Sequence, residues 1–281
     1  MTDRPFGTRL RRAMDTRGPL CVGIDPHPEL LTAWGLPDDP GGLDRFAGTV
    51  VEALADRVAV LKPQAAFFER FGSRGIAVLE RTVADARAAG ALVVTDAKRG
   101  DIGSTMAAYA TAFLDPAAPL FSDALTVSPY LGFGSLRPAV DLARTHGCGL
   151  FVLALTSNPE GAQVQHAVGE DGESVAAGVL AHLAKENAGA DGLGSFGAVV
   201  GATLGGTLCR LGLRADFGGP LLAPGIGAQG ATAKDLPQVF DGALRNVLPS
   251  VSRGVLRHGP SVDGLRRAAR AEAEALAAVL R

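Results

Sequence analysis

ALVVTDAKRGDIGST, residues 91–105, carries an unbroken apolar run straight into a knot of charge. Ala91–Val94 has the composition of an interior strand, and directly after it come Asp96, Lys98, Arg99 and Asp101. A strand that is apolar at every position, with no alternation, belongs to a parallel sheet covered on both faces. The same form recurs along the chain. LCVGIDP (20–26), VAVLKPQ (58–64), ALTVSPY (124–130), GLFVLALTSN (149–158), FGAVVGAT (196–203), PLLAPGIG (220–227) and NVLPSVSRG (246–254) each run into polar or glycine punctuation. Between them lie helix-like stretches such as DRFAGTVVEALADR (44–57), SRGIAVLERTVADARAAG (73–90) and SLRPAVDLARTHG (135–147), and LRRAARAEAEALAAVL (265–280) follows the last strand.

Eight strand–helix units in 281 residues predict an α/β fold of the closed (β/α)8 barrel type, with residues 1–281 as a single domain. An open doubly wound sheet also alternates strands and helices, but it gathers its functional residues at one switch point. Here polar residues follow nearly every strand, as they do around a barrel rim. NPEGAQVQHAVGEDG (158–172) is too long for a simple turn and is expected to form a flap over the site. GLGSFG (192–197) has the form of a dinucleotide fingerprint but precedes the sixth strand and reads as a loop.

Composition narrows the function. A net charge of -2 gives no basic footprint for nucleic acid. The cluster Arg9, Arg11, Arg12 reads as a solvated helix face. No run of about 18 apolar residues suggests a membrane span, and the first 20 residues lack a signal-peptide core. Cys21, Cys148 and Cys209 have no paired spacing, so neither a disulfide framework nor a zinc site is expected and a reducing cytoplasm is. His27, His146, His166, His182 and His258 show no metal-ligand spacing. Trp34, Phe67, Phe68 and Phe71 read as core or interface residues.

The strand ends bring Asp25, Lys62, Asp96 and Lys98 to one rim, alternating acid and base, with Asp101 just beyond. In a pocket of low dielectric such charges coexist only if each is flanked by its opposite. A purely structural alternative is that Asp101 or Ser104 caps the following helix. APGIGAQGAT (223–232) supplies glycines at 225, 227 and 230 whose N–H groups could face an anion. Gln229 can add a side-chain amide and Arg253, in SVSRG, a guanidinium. Phosphate binding after strands seven and eight is common in barrels. A phosphorylated small molecule follows as the substrate class.

DAKRGDIGST resembles the Asp-x-Lys-x-x-Asp signature of the orotidine 5′-phosphate decarboxylase family. GIDP, LKPQ, SPYLG, APGIGAQG and SRG extend that resemblance over nearly the whole chain, and LKPQAAFFE and TSNPEGAQ resemble the longer bacterial subgroup. The resemblance implies decarboxylation of orotidine 5′-phosphate to uridine 5′-phosphate, without metal or cofactor, in a cytoplasmic homodimer. It further implies Lys98 as proton donor, Asp96 facing the leaving carboxylate, and Lys62 and Asp25 holding the ribose. Asp101, Ile102 and Thr105 would serve the partner's site, Ser128 the pyrimidine, and Gly227, Gln229 and Arg253 the phosphate. A magnesium-dependent phosphosugar-acid decarboxylase or aldolase-like synthase on the same barrel, and a non-catalytic nucleotide-binding barrel, are the alternatives.

Overall fold

The computed structural model describes residues 4–170, 172–211, 213, 215–227 and 230–280. Gln229 lies outside the described residues, as does the side chain of Cys209. The strands are β1 (Cys21–Ile24), β2 (Val60–Pro63), β3 (Leu92–Arg99), β4 (Ala124–Val127), β5 (Gly149–Leu155), β6 (Phe196–Val200), β7 (Leu221–Pro224) and β8 (Val247–Val251). All pair in parallel, each with the next, and β8 closes on β1 through Cys21–Ser250 and Val22–Val251. The expected closed barrel is what forms.

Strand alternation sorts the side chains into two cores. Cys21, Val60, Val94, Ala124, Phe151, Val199, Leu222 and Leu248 fill the barrel interior. The helix Phe6–Arg17 plugs its lower end with Phe6, Leu10 and Met14, and Phe6 meets Phe151 edge-on with ring centroids 6.0 Å apart. The larger core, with Trp34 and Phe68, lies between the barrel and its outer helices; Phe67 and Phe71 are only partly buried against it.

The basic cluster on the first helix is not simply solvated. Arg9 pairs with Asp123, which is buried at the foot of β4, and donates to the Gly147 carbonyl at 2.9 Å. Arg11 donates to the Arg245 carbonyl at 2.5 Å. These contacts fasten the plug to the barrel. The 158–172 segment also carries more order than a flap: Pro159–Gly161 and Ala162–Gln165 are short helical turns, and Val168 bridges Ser174. Gln165 ties the segment to the end of β5, accepting from Thr156 N at 2.8 Å and donating to Thr156 Oγ1 at 2.7 Å.

Candidate active site

The same alternation that builds the interior carries it to the rim. Lys62 lies two residues after Val60, Asp96 two after Val94, Thr126 two after Ala124 and Ser250 two after Leu248. Each therefore faces inward, directly above the apolar layer. Lys62 is buried and Asp96 nearly so, whereas the Lys98 side chain, one step higher, is 45% exposed.

These side chains form one network. Lys62 Nζ donates to Asp96 Oδ2 at 3.1 Å, and Lys98 Nζ donates to Asp96 Oδ1 at 2.6 Å. Thr126 Oγ1 donates to the same Asp96 Oδ1 at 2.8 Å and accepts from the Lys98 backbone N–H at 2.9 Å. Lys62 also lies 4.0 Å from Asp25 Oδ1, and Asp25 Oδ2 accepts from Ser252 Oγ at 2.5 Å. Asp25 Oδ1 itself has no hydrogen-bond donor among the described residues. Asp25, Lys62, Asp96 and Lys98 thus come together as expected, with their formal charges balanced. Thr126 and Ser252 join them without having been singled out. A threonine inside a strand is ordinary β composition, and only pairing across strands reveals its role.

Electrostatics keep Asp96 and Lys62 ionised. Burial pushes the Asp96 carboxyl up, but the charges of Lys62 and Lys98 and the hydrogen bonds from Lys98 and Thr126 outweigh it and hold it well below the usual carboxylate range. For Lys62, burial favours loss of the proton, yet Asp96 and then Asp25 hold it above the usual lysine range. Beneath them Cys21 is desolvated, its thiol pushed up to about 12, which leaves it an inert packing residue.

The backbone of β3 is irregular at the charge network. Its register against β4 shifts between Thr95 and Arg99, and Lys98 adopts a φ of 48°. Lys98 is the one non-glycine residue with positive φ among the described residues, a conformation that costs roughly 1–3 kcal/mol and collects at functional sites. Arg99 turns away to pair with Glu69. Gly100 is needed for close approach: a Cβ there would lie 2.5 Å from the Ser128 carbonyl oxygen. Gly23 is similar, since a Cβ would lie 2.1 Å from Ser252 Oγ and block its reach to Asp25.

Asp101 does not cap the next helix. The helix Gly103–Leu114 begins after Ile102, no side chain caps it, and among the described residues Asp101 Oδ1 accepts only from the adjacent Ile102 N–H, at 2.8 Å. Ser104 does not cap it either. Asp101 stands apart from the charge network, and Ile102 (62% exposed) and Thr105 also face outward. Ser128 is half-buried at the end of β4, its N–H donating to the Arg99 carbonyl at 2.8 Å.

The glycine loop after β7 departs from expectation. Gly225, Gly227 and Gly230 all have positive φ, but the Gly227 N–H donates to the Ala231 carbonyl at 2.7 Å and Gly230 N–H to the Gly227 carbonyl at 3.2 Å. The turn spends these two donors on itself, so they do not face an anion. Arg253 begins the short helix Arg253–Leu256 directly after β8, exposed and with no ion-pair partner among the described residues. Among the described residues no group of three or more His, Cys, Asp or Glu side chains could hold a metal ion, and no helix is long and apolar enough to cross a membrane.

Residues 18–268 match the model of the orotidine 5′-phosphate decarboxylase / HUMPS family. The chain is 76% identical over 265 residues to the orotidine 5′-phosphate decarboxylase of Streptomyces coelicolor, covering 94% of each. A crystal structure from Streptomyces avermitilis, provisionally given the same name, superposes with a TM-score of 0.97 at 72% identity, covering 100% of this chain and 97% of that one. Leishmania donovani OMP decarboxylase superposes with a TM-score of 0.75 at 30% identity, over 98% of each chain.

Proposed function

This chain belongs to the orotidine 5′-phosphate decarboxylase family, and from that premise we infer how its rim performs the reaction. The chain decarboxylates orotidine 5′-phosphate in pyrimidine biosynthesis, as a single barrel domain that works in the cytoplasm without metal or cofactor. The observation that carries the residue assignments is the Lys98 ammonium, 2.6 Å from Asp96 and held by an inverted backbone at the end of β3.

In the reaction the bond between the pyrimidine ring and its carboxylate breaks heterolytically. Carbon dioxide leaves, the electron pair stays on the ring carbon, and a proton replaces the carboxylate there. Lys98 stabilises the developing carbanion and then transfers its Nζ proton to that carbon, with water restoring the proton afterwards. Asp96, kept ionised by Lys62 and Lys98, faces the substrate carboxylate, and the repulsion is relieved as carbon dioxide departs. Asp25 Oδ1 and Lys62 receive the ribose hydroxyls, which explains a buried carboxylate oxygen with no donor of its own. Ser128 contacts the pyrimidine, while Arg253, with Gln229, holds the phosphate, whose remote binding energy organises the site.

Asp101, Ile102 and Thr105 serve the site of a second copy in a homodimer. Their support is exposure: they follow Lys98 in the same loop, Ile102 and Thr105 are exposed, and Asp101 makes no ion pair with the network among the described residues. The deciding assay follows the absorbance of orotidine 5′-phosphate incubated with the purified chain, with and without chelator. Turnover that survives the chelator is expected. Turnover abolished by chelator would favour the magnesium-dependent phosphosugar branch, and binding without turnover a non-catalytic barrel.

A further inference from the structure

Below the lysine at the β3 end lies a hydroxyl to which the reaction just described gives no part. Thr126 is 1% exposed, and a threonine hydroxyl offers one proton and lone pairs that accept. The Lys98 backbone N–H donates to Thr126 Oγ1 at 2.9 Å, so that contact uses the oxygen as acceptor. The hydroxyl proton points at Asp96 Oδ1, 2.8 Å away, where an ionised carboxylate can only accept. Lys98 Nζ reaches the same Oδ1 at 2.6 Å. The three residues therefore close a ring: Lys98 backbone to Thr126, Thr126 to Asp96, and Lys98 side chain back to Asp96.

The ring sits where β3 and β4 lose their regular register, between Thr95 and Arg99. The Lys98 N–H at this irregularity is taken by a side chain, and the residue it belongs to has a φ of 48°. We propose that Thr126 is a positioning residue for the decarboxylation: its hydroxyl holds the Lys98 backbone inverted and fixes the Asp96 carboxylate against the Lys98 ammonium. It acts through these two groups and touches no reacting atom. The inference rests on Lys98 and Asp96 being the groups that act on the substrate.

The test compares Thr126→Val, which keeps the shape and removes the hydroxyl, with Thr126→Ser, which keeps the hydroxyl. Wild type and Lys98→Ala are assayed beside them. Since a misplacement of about 1 Å can cost about 100-fold, Thr126→Val is expected to lose about that much in kcat with KM little changed. Thr126→Ser should stay within about threefold of wild type. Val and Ser variants that are equally impaired, or a Val variant as fast as wild type, would overturn the proposal. A crystal structure of Thr126→Val supplies a readout independent of turnover. Lys98 returning to negative φ or leaving Asp96 supports the clamp, and both features persisting overturns it. If Thr126→Val does not fold, Thr126→Ala carries the same expectations with less apolar bulk beside Asp96. An active Lys98→Ala would instead sink the assignment of the proton donor, a result separable from any effect of Thr126.

Discussion

Lys98 and Asp96 are paired at 2.6 Å, but one is 45% exposed and the other buried, so their loss has different consequences for rate and for stability. Lys98→Ala removes the proposed proton donor, a side chain that is 45% exposed, so the fold should survive. Loss of at least about 100-fold in kcat, with an unchanged circular dichroism spectrum, is expected, since such donors contribute roughly 10²–10⁴-fold. A variant retaining a tenth of wild-type kcat would strip Lys98 of that role. Asp96→Ala acts on stability, because it leaves Lys62 buried with only Asp25 at 4.0 Å. Breaking a buried pair from one side costs about 3–5 kcal/mol. Asp96 has its pKa depressed in the fold, so its stabilisation is present above the unfolded value of about 3.9 and is lost as pH falls through the folded value. The gap in unfolding free energy between wild type and Asp96→Ala should thus stay constant from neutral pH down to about 4 and narrow only below it. A gap that already closes near pH 6 would mean that Asp96 is not ionised by its lysines.

At the scale of elements, the strand C-termini carry the charge network and the outer layer keeps them in register. Arg253 opens the short helix after β8 with no ion-pair partner among the described residues, while the glycine turn after β7 has turned two of its N–H groups inward. The proposed phosphate role of Arg253 can therefore be tested on its own. Arg253→Ala should raise KM and lower kcat/KM, and added phosphite should restore part of the activity on the substrate's nucleoside. If the wild type binds nucleoside and nucleotide equally well, Arg253 has no phosphate to hold. A second element-level device is Asn187, at the end of the helix Val175–Asn187. It donates to the Phe196 carbonyl at 2.8 Å and accepts from the Phe196 N–H at 3.1 Å, pinning the start of β6. Asn187→Leu leaves both backbone groups buried without partners, at about 1–3 kcal/mol each. A lower melting temperature with kcat unchanged in the folded fraction is expected. An unchanged melting temperature would show that β6 is held in register without the clamp.

For the whole molecule, the proposed assignment of Asp101 to the partner's site is testable by subunit exchange. Homodimers of Lys98→Ala and of Asp101→Ala should each be nearly inactive. When subunits exchange, a mixed dimer has one site lacking both residues and one site intact. With random equal assortment half of the dimers are mixed, so about a quarter of all sites should regain activity, as a two-fold arrangement requires. Activity no higher than that of the parents after verified exchange would place Asp101 in its own chain's site. Tyr130 (76%), Leu131 and Ile102 are large apolar side chains left exposed in the single chain.

Much of this molecule is legible in its order of residues because a parallel barrel needs strands that are apolar on both faces. Charge can then follow only at their ends. Asp25, Lys62, Asp96 and Lys98 could be picked out because each terminates such a run, and their mutual contacts follow once the strands are closed in sequence order. Arg9 could not be read as a clamp on Asp123, since the two are distant in the chain and an arginine on a helix face is ordinarily solvated. Asp101 has the composition of a helix cap, and only the backbone path past Gly100 directs it elsewhere. Positive φ was foreseeable at glycines 225, 227 and 230, but where their N–H groups point depends on the fold of the turn. Thr126 and Ser252 were silent for the same reason. A hydroxyl's partner is chosen by the neighbouring strand, so the register shift beside Lys98 and the missing Cβ at Gly23 decide their roles. Periodicity along the chain determines which residues face inward; pairing between strands determines what they hold.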